Sequence, residues 1–190
     1  MSSAHTLLLV EQDPSYLATD ETASDVRQCI IYESGAPNAR IIGIEYMISP
    51  HLYETLPQDE RRLWHSHVFE VKSGMLVMPQ NTAIVPSAAW DAAETKEMEQ
   101  VIRLYGKIYH LWQVDRGDVL PLGEPQLMTS CTAEGQLDRG LWQSRDEKLG
   151  ISTEKKKELR KHIPEPDIHP GELPYGTHAW EWKTQHNKTD

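Results

Sequence analysis

The sequence predicts an α+β domain. It should carry an antiparallel sheet with helices laid on one face, ferredoxin-like in its closest simple form, and an extended C-terminal tail. Three observations predict it. Two β-branched and aromatic runs flank a Gly/Pro turn near the start. One long segment, Ser87–Tyr105, repeats its apolar residues at helical spacing. From Asp138 onward, charge and proline displace apolar residues. The 190 residues therefore divide into an arm (1–24), one domain (25–150) and a charged, Pro-rich tail (151–190) that wraps the domain through Trp180 and Trp182.

The elements follow in order. Val26–Glu33 (V-R-Q-C-I-I-Y-E) and Arg40–Ser49 (R-I-I-G-I-E-Y-M-I-S) are strands, and Ser34–Ala39 with Gly35 and Pro37 is their turn. Ser49 caps a helix over Pro50–Trp64, which Pro57 splits in two. Val68–Met78 reads as two strands around a turn or bulge at Ser73-Gly74. Pro79–Pro86 connects to the Ser87–Tyr105 helix, where Trp90, Met98, Val101, Ile102 and Tyr105 form the apolar side. Gly106 is placed to end that helix. Ile108–Val114 and Pro125–Thr132 are the remaining strands.

Charge excludes some functions. The net charge is −10, from 29 acidic and 19 basic residues. Such a chain is poorly suited to neutralise nucleic-acid phosphates or to adsorb on anionic lipid by bulk charge. Two cysteines, Cys29 and Cys131, without a C-x-x-C, fit buried thiols in a reducing compartment, with one Cys29–Cys131 disulfide as the alternative. The early apolar run Leu7–Val10 is too short for a signal peptide, and no run is long enough to span a membrane.

The chemistry concentrates in Leu63–Gly74, L-W-H-S-H-V-F-E-V-K-S-G. On a strand, His65 and His67 share one face because side chains alternate. Three readings stay open for the pair: a divalent metal site, a polar cluster that binds or protonates an organic ligand, or histidines packed on tryptophan. Glu70 has the opposite strand parity, so a bulge near Ser66 would be needed to bring all three together. His110, on the face of Trp112 in Y-H-L-W, is the candidate third histidine. Arg116, between Asp115 and Asp118, is either a turn ion pair or a rim group for a carboxylate or carbonyl. Lys72 and Glu45 are strand charges open to the same two readings. No nucleophile elbow, phosphate-binding glycine loop or dinucleotide fingerprint is present.

The segments D-V-R-Q-C-I-I-Y (25–32), I-I-G-I-E-Y (41–46), Leu63–Gly74, Y-G-K-I-Y-H-L-W-Q-V-D-R-G-D (105–118) and L-P-L-G-E-P-Q-L-M (120–128) together resemble the oil-body-associated protein family of plants and its fungal and bacterial relatives. The resemblance covers roughly residues 25–170. It implies a protein found with lipid droplets and no settled biochemistry. The family usually carries paired histidines just before the D-V-x-Q-C segment, whereas this chain reads Y-L-A-T-D-E-T-A-S there. That departure weakens a metal site built on those histidines.

Residues and resemblance together lead to an expected function. The main expectation is a small-molecule enzyme of non-redox type, a cyclase or isomerase in a biosynthetic pathway. His65, His67 and His110 would move protons in it. Trp64, Phe69, Glu70, Lys72, Tyr109, Trp112 and Arg116 would hold an apolar substrate. No cofactor is expected unless His65 and His67 hold a divalent metal. Two alternatives stand beside it: a non-enzymatic, peripheral lipid-droplet protein, and a metal-dependent enzyme using His65 and His67. The expected location is cytoplasmic, at or near the droplet surface.

Overall fold

The computed structural model describes residues 25–78, 85–128, 130–136 and 139–169. The arm, most of the Pro79–Pro86 connector, and Trp180 and Trp182 lie outside the described residues. The fold is α+β, with five strands in an open antiparallel sheet and six helices among the described residues.

The sheet starts from the expected hairpin. Strands β1 (Val26–Tyr32) and β2 (Ile41–Ile48) pair from Val26↔Ile48 to Ile31↔Gly43, with a bulge at Tyr32. The turn is closed by the Glu33 amide on the Arg40 carbonyl at 3.1 Å and by a Glu33–Arg40 ion pair. Strand β4 (Tyr105–His110) pairs the other side of β2. Two short strands share the remaining edge of β4: β3 (His65–Ser66) and β5 (Gln126–Met128). The order is β1-β2-β4-β3.

Helices α1 (Pro50–Thr55) and α2 (Gln58–Arg61) are the two pieces separated by Pro57. The Ser49 hydroxyl accepts the Leu52 amide, as the cap expectation requires. Tyr53 of α1 stacks on Tyr105 with ring centroids 3.8 Å apart, within a cluster that includes Ile48. Helix α4 (Ser87–Val101) turns Glu94, Met98 and Val101 inward, at spacings of four and three.

Two sequence expectations are corrected. Val68–Met78 is not a strand pair, because Val68–Lys72 forms helix α3. The Ser66 hydroxyl accepts the Val68 amide at 3.1 Å, and Val71 is buried with Leu76, Met98, Val101, Ile102 and Ile163. That burial outweighs the β preference of a V-F-E-V-K run, which is context-dependent. Nor does Gly106 end a helix. The helix stops at Val101, and Gly106 lies inside β4, opposite His65 and Met47.

Beyond the sheet, helices α5 (Arg139–Leu149) and α6 (Thr153–Leu159) follow. Residues expected in the charged tail reach the core: Ile163 joins the α3–α4 cluster. Lys156 and Arg160 are buried against Glu94 of α4, Arg160 at 3.3 Å. Lys72 of α3 donates to the carbonyl oxygens of Arg160, Lys161 and Ile163 at the end of α6. A cation there also complements the carbonyl end of the helix. Cys29 is buried and Cys131 half-buried, and no disulfide joins them. Among the described residues no helix is long and apolar enough to cross a membrane.

Candidate functional site

Cross-strand partners in an antiparallel pair lie on one face. His65 and Met47 both face Gly106, and Glu45 lies two residues before Met47, so Glu45 and His65 overlook the same point of β4. His67 follows two residues later, as the residue leading into α3. The three side chains meet there, 2%, 3% and 1% exposed for Glu45, His65 and His67. Their ligand atoms all lie within 4.8 Å of one another.

The contacts converge on one oxygen. Glu45 Oε1 is 3.5 Å from His65 Nε2 and 3.3 Å from His67 Nε2. Glu70 Oε2 is 3.8 Å from His67 Nε2, and Glu70 also accepts the Ser130 hydroxyl. Strand parity set Glu70 apart from the histidines, but α3 reverses this. In a helical turn the i, i+3 pair His67 and Glu70 shares a face.

One tautomer is imposed on His67. Its Nδ1 is 2.8 Å from the Leu104 carbonyl oxygen, which only accepts, so Nδ1 carries the hydrogen and donates. Nε2 then faces two carboxylates. Burial alone would lower the His67 pKa, but Glu45, then Glu70 and the Leu104 carbonyl, outweigh it and raise it to about 9. Burial alone would raise the Glu45 pKa. The two imidazoles outweigh that and hold it at about 2. Glu45 Oε1 and both His65 ring nitrogens have no hydrogen-bond partner among the described residues. Buried polar atoms in that state call for an explanation.

Gly106 makes the room. A Cβ there would press on Glu45 Oε1 and lie 2.7 Å from His67 Cε1 and 2.9 Å from His65 Cε1. Only glycine leaves this space open.

The other expected residues do not join this cluster. His110 pairs with Gly43 four residues along β4, roughly 13 Å from Gly106 at strand rise, and its Nδ1 is 2.8 Å from Gln113 Oε1. Glu45, not His110, is the third member. Trp64 donates to Glu60 at 3.0 Å and lies under the Lys107 ammonium, as does Tyr109. Trp112 carries the Arg40 guanidinium 5.0 Å from its ring centroid and donates to the Asp118 carbonyl. Arg116 pairs with Asp118 at the surface. Phe69 and Lys72 line a cavity of about 380 Å³ with Trp142 and Thr153, beside α6. The expected single aromatic pocket is thus divided among three places, because Phe69 and Lys72 are carried by α3, while Trp64 and Tyr109 lie by Lys107 and Trp112 follows the end of β4.

Sequence reasoning weighed Glu45 only as a strand charge and missed Leu104 and Gly106. A signal was present for Glu45: it is the one acid in the otherwise uncharged run I-I-G-I-E-Y-M-I.

Comparison with known proteins gives a consistent picture. The family model described as "Protein of unknown function (DUF1264)" matches residues 12–164. The chain is 46% identical over 148 residues to Oil body-associated protein 1A of Zea mays, covering 77% of this chain and 59% of that one. It is 43% identical over 148 residues to Oil body-associated protein 1B of Arabidopsis thaliana, covering 77% and 58%. For Oil body-associated protein 2C of Arabidopsis thaliana, identity is 45% over 142 residues, covering 74% and 56%. The chain thus spans under three-fifths of the length of these curated relatives. No solved structure matches. These relatives correct the expectation of a cyclase or isomerase: all are named for association with oil bodies and none for a reaction.

Proposed function

Because the chain belongs to the DUF1264 family of oil-body-associated proteins, we propose that it is a non-enzymatic protein of the cytoplasmic oil-body surface, bound peripherally. The apolar partner is a lipid surface rather than a small substrate. The observation that supports this is the loop Asp118–Pro125. Val119, Leu120 and Leu122 are 80%, 58% and 55% exposed, a concentration of large apolar residues that isolated surface leucines do not make.

The loop is held out from a firm base. Gly117, at φ 89°, turns the chain away from the 3-10 turn Val114–Arg116. The Asp118 carbonyl accepts from Trp112 at 2.9 Å and from Arg40 at 3.4 Å. Ile41, next to Arg40, is also exposed. The three loop side chains expose the equivalent of about two full aliphatic side chains, worth roughly 3–6 kcal/mol on transfer to lipid. That supports reversible binding. With a net charge of −10, apolar insertion and not electrostatic attraction must carry it.

Flotation tests this. Droplets with a triacylglycerol core and a zwitterionic phospholipid monolayer are mixed with the protein and centrifuged. The parent should float with the droplets and stay bound as salt is raised. Replacing Val119, Leu120 and Leu122 together by Asp should leave it in the aqueous layer with unchanged circular dichroism. A parent that does not float, or a variant that floats equally, overturns the proposal.

A further inference from the structure

We propose that Glu45, His65 and His67, with Glu70 beside them, form a binding site for one divalent transition-metal ion of the zinc class. The site is separate from the lipid-facing loop and does not depend on it.

Geometry is the first argument. Ligands about 2.0–2.1 Å from a tetrahedral ion lie roughly 3.3–3.4 Å from each other. Glu45 Oε1 lies 3.3 Å from His67 Nε2 and 3.5 Å from His65 Nε2. These spacings are long for hydrogen bonds and right for the edges of a coordination polyhedron. Glu70 Oε2, 3.8 Å from His67 Nε2, neighbours the trio but stands outside the set whose ligand atoms all lie within 4.8 Å of one another.

Unfilled valence is the second argument. Glu45 Oε1 and His65 Nε2 are buried with no hydrogen-bond partner among the described residues. An ion between them would satisfy both at once. Glu45 in the trio and Glu70 beside it place two carboxylates near a divalent charge. Two imidazoles and carboxylate oxygen suit zinc, cobalt or iron(II) better than calcium or magnesium, which take oxygen alone.

The surroundings are those of a built site. The Leu104 carbonyl fixes the His67 tautomer and leaves Nε2 as the ligand atom, the arrangement that orients metal-bound histidine. Gly106 keeps free the volume that any side chain would fill. Of the four side chains, Glu70 keeps the most contact with solvent, at 12%, which marks the side of entry beside Ser130. An ion held here would staple β2, β3 and the start of α3 together.

Cobalt titration of the full chain tests it. Protein stripped with a chelator and titrated with Co(II) should bind one ion per chain, develop the visible absorption of a tetrahedral site, and melt at a higher temperature. Zn(II) should displace the cobalt and bleach that absorption. Glu45→Gln keeps the shape of the side chain and should weaken binding by more than the ~10–100-fold that loss of an outer-shell partner brings. A parent without one-to-one binding overturns the proposal, as does a folded Glu45→Gln chain that binds as tightly as the parent. If Glu45→Gln does not fold, X-ray absorption of the zinc-loaded parent decides. Two imidazole nitrogens on the ion support the site, and fewer overturn it.

Discussion

Gly106→Ala is the sharpest probe of the buried cluster, because it adds one carbon and no polarity. The new Cβ would stand 2.7 Å from His67 Cε1 and 2.9 Å from His65 Cε1, and would also meet Glu45 Oε1. Carbon atoms in contact normally sit about 3.5–4.0 Å apart, so each ring must retreat by roughly 0.6–1.3 Å. The rings have little freedom: both are buried, and His67 is tied to Leu104. Overpacking of this kind costs about 1–3 kcal/mol. For a chain of this size that lowers the melting temperature by roughly 2–12 °C. The assay is thermal unfolding of chelator-treated parent and variant, followed by circular dichroism. Gly35→Ala is the control. No atom lies within 4 Å of a Cβ there, so its melting temperature should hold or rise slightly. If Gly106→Ala melts within about 1 °C of the parent, the three side chains do not occupy the space above β4 and the reasoning is wrong.

Three further outcomes follow from the packing. Glu94→Gln leaves Lys156 and Arg160 facing a neutral amide in the core and should destabilise by about 3–5 kcal/mol in urea titration, whereas Lys155→Ala, at an exposed pair with Asp91, should change stability by less than about 1 kcal/mol. Equal effects would refute the burial argument. Burial opposes ionisation of Asp146, but the Thr153 amide and hydroxyl and the Arg145 guanidinium outweigh it and hold the carboxyl below its usual range. Its folded pKa is depressed, so its stabilisation is full above the unfolded pKa, about 4, and is lost as pH falls through the folded value. Asp146→Asn should therefore lower the urea midpoint at pH 7 and do so progressively less as the pH falls below the unfolded pKa of about 4, and a pH-independent difference would contradict this. Lys72→Met removes three hydrogen bonds to the end of α6 and should speed amide exchange from Arg160 to Ile163 by about tenfold or more, with unchanged exchange as the contrary result.

Much of the frame is legible in the sequence. The β1–β2 hairpin is written in two β-branched runs around Gly35 and Pro37, and both strands form where those runs lie. Ser49-Pro50 begins α1 and Pro57 divides it from α2, because proline lacks the amide a continuing helix needs. The paired histidines did mark the buried cluster. Their partners were not legible. Glu45 is 20 residues upstream of His65 in sequence, and the two meet only because β4 is inserted between β2 and β3. Glu70 was misjudged for a local reason, since a run rich in valine and phenylalanine reads as strand until its burial against Met98 and Val101 is known.

The sequence by itself determined the α+β class, the hairpin, the break at Pro57 between α1 and α2, the family and the net negative charge. Each depends on local pattern or on whole-chain composition, which need no knowledge of distant contacts. Tertiary structure alone decided that Gly106 is the floor of a buried Glu45–His65–His67 cluster and not a helix stop. It also decided that residues near 156–163 belong to the core, and that the expected aromatic pocket is divided. Those outcomes turn on which strand lies beside which, and long-range pairing is set by the summed burial of many side chains, not by any one segment.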